Sequence, residues 1–365
     1  MSVLLFLAVL FVLVLVHEWG HFIVAKKTGM RVDEFGVGFP PKLFSRKKGE
    51  TEYSFNAFPI GGFVRIFGEN AEAPMTEGDK ADEHRAFYRR SKWAQSAVLL
   101  AGITMNIIFA WFLFSIVLTI GVPTAVDEAT ASPEVELVVA GTLSGAPADG
   151  QLPIGATIVS AKSGEDLLSN PTPSSFSQFV GDQAPETIEV TYRKNDVEKT
   201  VSLTPKSGLV EGEPNKYIVG TSLSLVEIKK ESAVGAVVEG AKMTVVDTVA
   251  ITQGIYHLIR DTIVGQADFS SVAGPVGIVG LVGDAASYGI TPLLMFTAMI
   301  SLNLAVINVL PFPALDGGRL VFVIIEAITK RRVPAVWTGW INLLGFGLLM
   351  LLMAAVTFND ISRLL

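Results

Sequence analysis

Cysteine is absent from the 365-residue chain and histidine nearly so, with four copies. The first absence excludes disulfides and thiolate metal sites. The second leaves His17, His21, His84 and His257 to share any metal with Asp and Glu. Charge is also scarce. Charged residues make up 17% of the chain and hydrophobic ones 50%, too apolar a balance for an ordinary soluble protein. The net charge of −7 carries no basic excess, so nucleic acid is not an expected partner. The length leaves room for two or three units.

What is present is a set of long apolar runs. Val3–Val16 lacks the positive n-region and the small-residue cleavage site of a signal peptide. The run continues to Ala25, giving about 23 residues, enough to cross a ~30 Å hydrocarbon layer as an uncleaved first helix. Near its end stands His17-Glu18-Trp19-Gly20-His21. Positions four apart share a helix face, so both imidazoles can grip one metal ion with Glu18 beside it as general base. Ionisable groups in hydrocarbon are costly and point to function.

Residues 26–93 hold 13 Lys/Arg, against 10 in the longer stretch 121–292. The positive-inside rule makes this first loop cytoplasmic and turns the N-terminus outward. Alternation in Phe35–Phe39 and again at Tyr53, Phe55 and Ala57 predicts strands, and Pro59–Val64 a turn into a further strand. The element reads either as a soluble hairpin or as a β-element dipping toward the active site to offer an edge strand. Glu69–Arg90 reads as a polar loop with His84 a solvated member. A second span runs from Trp93 to Ile120, where Gly102 and Asn106 form a small-and-polar packing stripe. Asn106 could also support the metal.

Residues 123–231 change to short apolar runs at Val135–Val139, Thr157–Ala161, Thr187–Tyr192, Val197–Leu203 and Ile218–Leu225, a β-rich soluble domain on the outer face. The stretch from Ser144 through Asp149-Gly150 to Ser160 resembles a PDZ core, with Ile154 and Ala156 replacing the commoner Pro and Asp. Ser232–Gly265 has helical spacing with interrupting charges, as an amphipathic surface helix would, and His257 reads there as an interfacial side chain. Gly-rich Ser270–Gly283, centred on Gly274-Pro275, is either re-entrant or tightly packed.

Pro292–Leu310 can span. It runs into Asn308-Val309-Leu310-Pro311-Phe312-Pro313-Ala314-Leu315-Asp316-Gly317-Gly318, where Pro311 and Pro313 forbid a regular helix. Broken backbone at membrane depth should line a cavity. Asp316 has two readings, N-cap of the next helix or third ligand to the two-histidine site. Arg319 and Lys330-Arg331-Arg332 put this turn on the same side as the His pair. Val336–Phe358 makes the last span, returning the C-terminus outside. The organisation is thus a polytopic α-helical membrane protein with about four transmembrane helices: 1–25, 93–121, 291–318 and 335–358. The connecting regions are 26–92, 123–231, 232–290 and 319–334.

His17-Glu18-Trp19-Gly20-His21 with Asn308-x-x-Pro311-x-Pro313-x-Leu315-Asp316-Gly317 resembles the site-2 protease family of intramembrane zinc metalloproteases, and most nearly its bacterial regulator of sigma-E protease group. The likeness extends to Gly61-Gly62, Gly102–Asn106, the PDZ-like insert and Gly274-Pro275. It implies one zinc held by His17, His21 and Asp316, and Glu18 as base. Asn308, Pro311, Pro313, Gly61 and Gly62 would position substrate. It further implies single-pass transmembrane substrates already trimmed by an upstream protease, a PDZ domain acting as size filter, and a bacterial inner membrane around the chain. Two departures stand out: Ile103-Thr104 follows Gly102 where Pro is usual, and only one PDZ-like insert fits. A non-catalytic membrane adaptor and a metal transporter are the rival classes. A transporter should carry charges in several helices, and an adaptor has no use for a full set of catalytic residues.

Overall fold

The computed structural model describes residues 2–69, 77–129, 131–132, 135–194, 197–210, 212–266 and 273–364. The chain divides into two compact units, Met1–Ile116 with Ala233–Leu365, and Val117–Ser232.

In the first unit, helix α1 (Ser2–Lys27) is followed by two long strands, β1 (Val32–Lys48) and β2 (Thr51–Ile66). Both strands bend. Residues 34–37 of β1 are therefore flanked on one side by 52–55 and on the other by 62–65, and the expected strands at Phe35–Phe39, Tyr53–Ala57 and beyond Pro59 share one sheet. After the short helix α2 (Glu77–Asp82) and two 3-10 turns comes α3 (Lys92–Ile120). Of residues 69–90, expected as a loop, 70–76 lie outside the described residues and 77–89 carry helical turns. Phe87 among them is buried with Phe22, Met30, Val32, Phe35 and Val98 in a core shared by α1, the sheet and α3.

Helix α3 is unbroken despite the Ile103-Thr104 departure. Ile103 is buried and the Thr104 hydroxyl donates back to Leu100 O at 2.8 Å. Further along, Ala110, Leu113 and Phe114 of α3 meet Ala298 and Leu302 of α7 (Ile290–Val309), with Met243 and Ile251 of α5 (Ala233–Val264) against them. The amphipathic stretch is thus a 32-residue helix seated on two other helices. Trp111 Nε1 donates to Val237 O at 2.9 Å at that seam.

Of Ser270–Gly283, read as either re-entrant or tightly packed, the described residues from Pro275 onward are helical. Gly274 precedes α6 (Pro275–Ser287), and residues 270–272 lie outside the described set. Lacking a side chain, Gly274 cannot cap α6 itself. Asp360, near the end of α9 (Ala335–Leu364), does so from a distance: its carboxylate accepts from Gly274 N at 3.0 Å and Gly277 N at 2.8 Å. An α6 donor pair that would otherwise lack partners is satisfied by a buried anion at the positive helix end. Between α7 and α9 lies α8 (Asp316–Thr329). Four helices, Ser2–Lys27, Lys92–Ile120, Ile290–Val309 and Val336–Ser362, are long and apolar enough to cross a membrane.

Among the described residues, the second unit holds a sheet of β3 (Val122–Val126), β4 (Glu136–Thr142), β5 (Thr157–Ser163), β6 (Asp166–Ser169), β7 (Ile188–Lys194), β8 (Val197–Leu203) and β9 (Thr221–Lys229), and the helix α4 (Pro173–Gln183). Strand order is β3-β9-β4-β5-β7-β8, with β6 on β5. Each of the five apolar runs contributes to a strand. Their inward residues, including Leu137, Ile158, Val190, Leu203 and Leu225, close on Phe176 and Val180 of α4 in one core. Helix α4 starts at a Thr172–Ser175 capping box with Pro173 at its first position.

Candidate metal centre

Helix α1 delivers His17 and His21 one turn apart in its second half. The turn after α7 delivers Asp316. That turn works because its residues break helix geometry: Pro311 and Pro313 cannot donate, and Ala314 takes a φ of +71°. The first turn of α8 then folds back so closely that a Cβ at Gly317 would lie 2.2 Å from Leu310 O, and one at Gly318 2.1 Å from Phe312 O. Asp316 is the first residue of α8, with Leu315 as its N-cap and no side-chain capping bond. The capping reading of Asp316 therefore fails, and its carboxylate points at the histidines instead.

Three donor atoms converge. Asp316 Oδ2 lies 3.0 Å from His17 Nε2 and 3.3 Å from His21 Nε2, and the two imidazole nitrogens are 3.1 Å apart. With Zn–N bonds of 2.0–2.1 Å, the edge of a tetrahedral zinc site is about 3.3 Å. The triangle thus has the size of one face of such a site, which leaves the fourth vertex for water or substrate. Among the described residues this is the group of His and carboxylate side chains that could hold a metal ion. His21 is oriented by donation from Nδ1 to Val98 O at 2.7 Å, which fixes the tautomer with Nε2 free to ligate. His17 Nδ1 faces the buried amide of Asn106, whose nitrogen is 3.4 Å away while its oxygen Oδ1 has no partner. Turning the amide by half a revolution gives that oxygen the His17 N–H, the same tautomer as at His21. A Cβ on Gly102 would sit 2.4 Å from His21 Nε2 and 2.8 Å from His17 Nε2. The stripe expected for helix packing is thus also the floor of the site.

Glu18 faces the β-element. Gly62 has Glu18 Cγ as the nearest side-chain atom a Cβ there would meet, at 3.9 Å, and Gly61, at φ +95°, lies near Val14. Residues 62–66 of β2 pair with β1 on one side. Asn308 stands half-buried in the last turn of α7, Pro311 is exposed and Pro313 half-buried. His84 bonds Ala81 O at 3.2 Å, and His257 packs on Tyr256, so neither joins the triangle. Sequence reasoning missed the Val98 carbonyl, which no residue type signals. It used Arg319 as a charge marker but missed its pairing with Glu69 at 2.5 Å, which ties α8 to the turn after β2.

A family model described as peptidase family M50 matches residues 5–352. The chain belongs to that family. A protein of Clostridium acetobutylicum provisionally named a zinc metalloprotease is 34% identical over 96% of this chain and 94% of its own length. The zinc metalloprotease RasP of Oceanobacillus iheyensis is 29% identical over 100% of this chain and 99% of its own. The regulator of sigma-W protease RasP of Bacillus subtilis is 30% identical over the same shares. The resemblance to site-2 proteases holds, and the enzyme class is a zinc metalloprotease.

Proposed function

We propose that this M50 protease hydrolyses peptide bonds inside the transmembrane segments of single-pass membrane proteins, using one zinc ion held by His17, His21 and Asp316. The observation that carries the reading is the donor triangle, three atoms from residues up to 299 positions apart within 3.3 Å of one another. Zinc bound there would supply a Lewis acid toward the scissile carbonyl. Glu18 would take a proton from the attacking water on a carboxylate oxygen and hand it to the departing amine. Asn106 and Val98 hold the imidazole tautomers through that exchange.

A substrate helix keeps its carbonyls in its own hydrogen-bond ladder, so it must unwind to be cut. The outer edge of residues 62–66, beside Glu18, suits an extended segment adding as a further strand. Gly61 and Gly62 keep that edge open, and Asn308, Pro311 and Pro313 bound the other side. Phe39, Leu43, Phe44, Phe55 and Phe58 of the β-element are exposed, which supports immersion of the element in the bilayer rather than a soluble hairpin. The Lys/Arg excess of residues 26–93 supports a cytoplasmic position for this loop and for the active site. The N- and C-termini and the β-rich domain are then extracytoplasmic in a bacterial inner membrane, between spans at 1–25, 93–121, 291–318 and 335–358. That domain, read as PDZ-like, screens substrates by size after an upstream protease has trimmed them.

The test is cleavage of a reconstituted single-pass substrate with a shortened outer domain. Wild-type protein should cut it within the membrane. Glu18→Gln should bind as much zinc and cut at least about 100-fold more slowly, the range for loss of a general base. Undiminished cleavage by that variant overturns the reading.

A further inference from the structure

We propose that Asn342 is a positioning residue for Asp316, acting through the backbone of Ala314. The inference rests on the reading of Asp316 as a metal ligand. Within the segment that carries Asp316, Phe312 N donates to Leu310 O at 2.7 Å and Leu315 N to Phe312 O at 3.2 Å. Pro311 and Pro313 have no N–H to donate, and Ala314 adopts a φ of +71°. Left-handed backbone costs about 1–2 kcal/mol in a residue with a Cβ, so a further bond from outside the turn helps to hold it. Ala314 N donates to Asn342 Oδ1 of α9 at 3.2 Å. Two residues later, the Asp316 carboxylate meets the imidazoles.

A second contact on the same face of α9 points the same way. Gly345, three residues after Asn342, is buried against Pro313. A Cβ there would lie 2.4 Å from Pro313 Cβ and 2.7 Å from Pro313 O. Residues three apart on a helix are neighbours, so Asn342 and Gly345 form one footprint on the turn. The surrounding surface of α9, including Leu343, Leu344, Phe346 and Leu348, is exposed and apolar. Asn342 is the one amide side chain between Val336 and Phe358. An amide on a helix of this character carries a cost that the bond to Ala314 offsets. Helix α9 thus fixes the backbone from which the third ligand extends, although it contributes no ligand itself.

The experiment measures zinc affinity of the full-length protein in detergent by competition with a chromophoric chelator. Asn342→Leu keeps the branched shape of the side chain and removes the acceptor. It should bind zinc about fivefold to tenfold more weakly, the loss of one hydrogen bond. Glycine takes positive φ without strain, so adding Ala314→Gly should return the affinity to within about twofold of wild type. Asn342→Ala serves as the second acceptor-free variant should Asn342→Leu fold poorly. Wild-type affinity in the acceptor-free variants overturns the role, as does failure of Ala314→Gly to restore it. Asp316→Ala is measured alongside. If it keeps its zinc, the ligand reading itself has failed; if it loses zinc while Asn342→Leu keeps it, only the role of Asn342 falls.

Discussion

Gly102 and His21 meet where α1 crosses α3, and no methyl group fits between them. A Cβ at Gly102 would overlap the Nε2 atoms of His21 and His17, at 2.4 and 2.8 Å. Helix α1 reciprocates, since a Cβ at Gly20 would lie 2.4 Å from Ala101 O. The crossing is close because both helices present glycine there.

Gly102→Ala should therefore displace the imidazoles while leaving the helices intact. Zinc affinity should fall about 10- to 100-fold, the range seen when groups around metal ligands are disturbed, with an unchanged far-ultraviolet circular dichroism spectrum. Equilibrium dialysis of the purified variant checks this.

The helix with the His pair and the Pro-broken segment with Asp316 were both legible in the sequence, because periodicity and proline act locally. Their meeting was legible only through two weak local cues, charge flanks and a two-histidine site short of a ligand. What stayed hidden depended on distant partners. Asp360 looks like an ordinary polar residue at a helix end until α6 is packed against it, 86 residues away in sequence. Gly274-Pro275 could not be assigned because glycine lowers helix propensity and the compensating cap comes from another helix. The bend of β1 and β2 also escaped, since alternation gives a strand's faces and not the strands it pairs with.

Asp360→Ala should unpair the two backbone donors of Gly274 and Gly277, costing about 1–3 kcal/mol each if left buried. Part of that cost is avoided by local opening, so the sharpest readout is amide hydrogen exchange. Exchange should rise in the segment from 274 to 280 and stay unchanged in unit Val117–Ser232.

Glu50, at the turn between β1 and β2, gives a pH signature. Arg85 hydrogen-bonds its carboxylate in two places and Lys26 adds a third contact, holding its pKa down to about 2. A depressed carboxylate stabilises the fold above its unfolded value near 4.5, and that stabilisation disappears as pH falls toward 2. Glu50→Gln should thus melt below wild type at pH 7. The gap should narrow from about pH 4.5 downward and close near pH 2.

Gly62→Val should test the strand edge beside Glu18. A Cβ there would lie 3.0 Å from Gly36 O and 3.9 Å from Glu18 Cγ, so the added bulk crowds the side facing the Glu18 stem. Zinc content should be unchanged and substrate cleavage reduced, measured as the ratio of kcat to KM on a reconstituted transmembrane peptide. Cleavage at the wild-type ratio would mean that substrate does not use this edge.

The most direct test of the central claim, that a two-histidine helix is completed by an aspartate 299 residues away, is metal analysis of purified wild-type protein and Asp316→Ala. The account predicts about one zinc per wild-type chain and its loss from the variant. Equal zinc in both would contradict it.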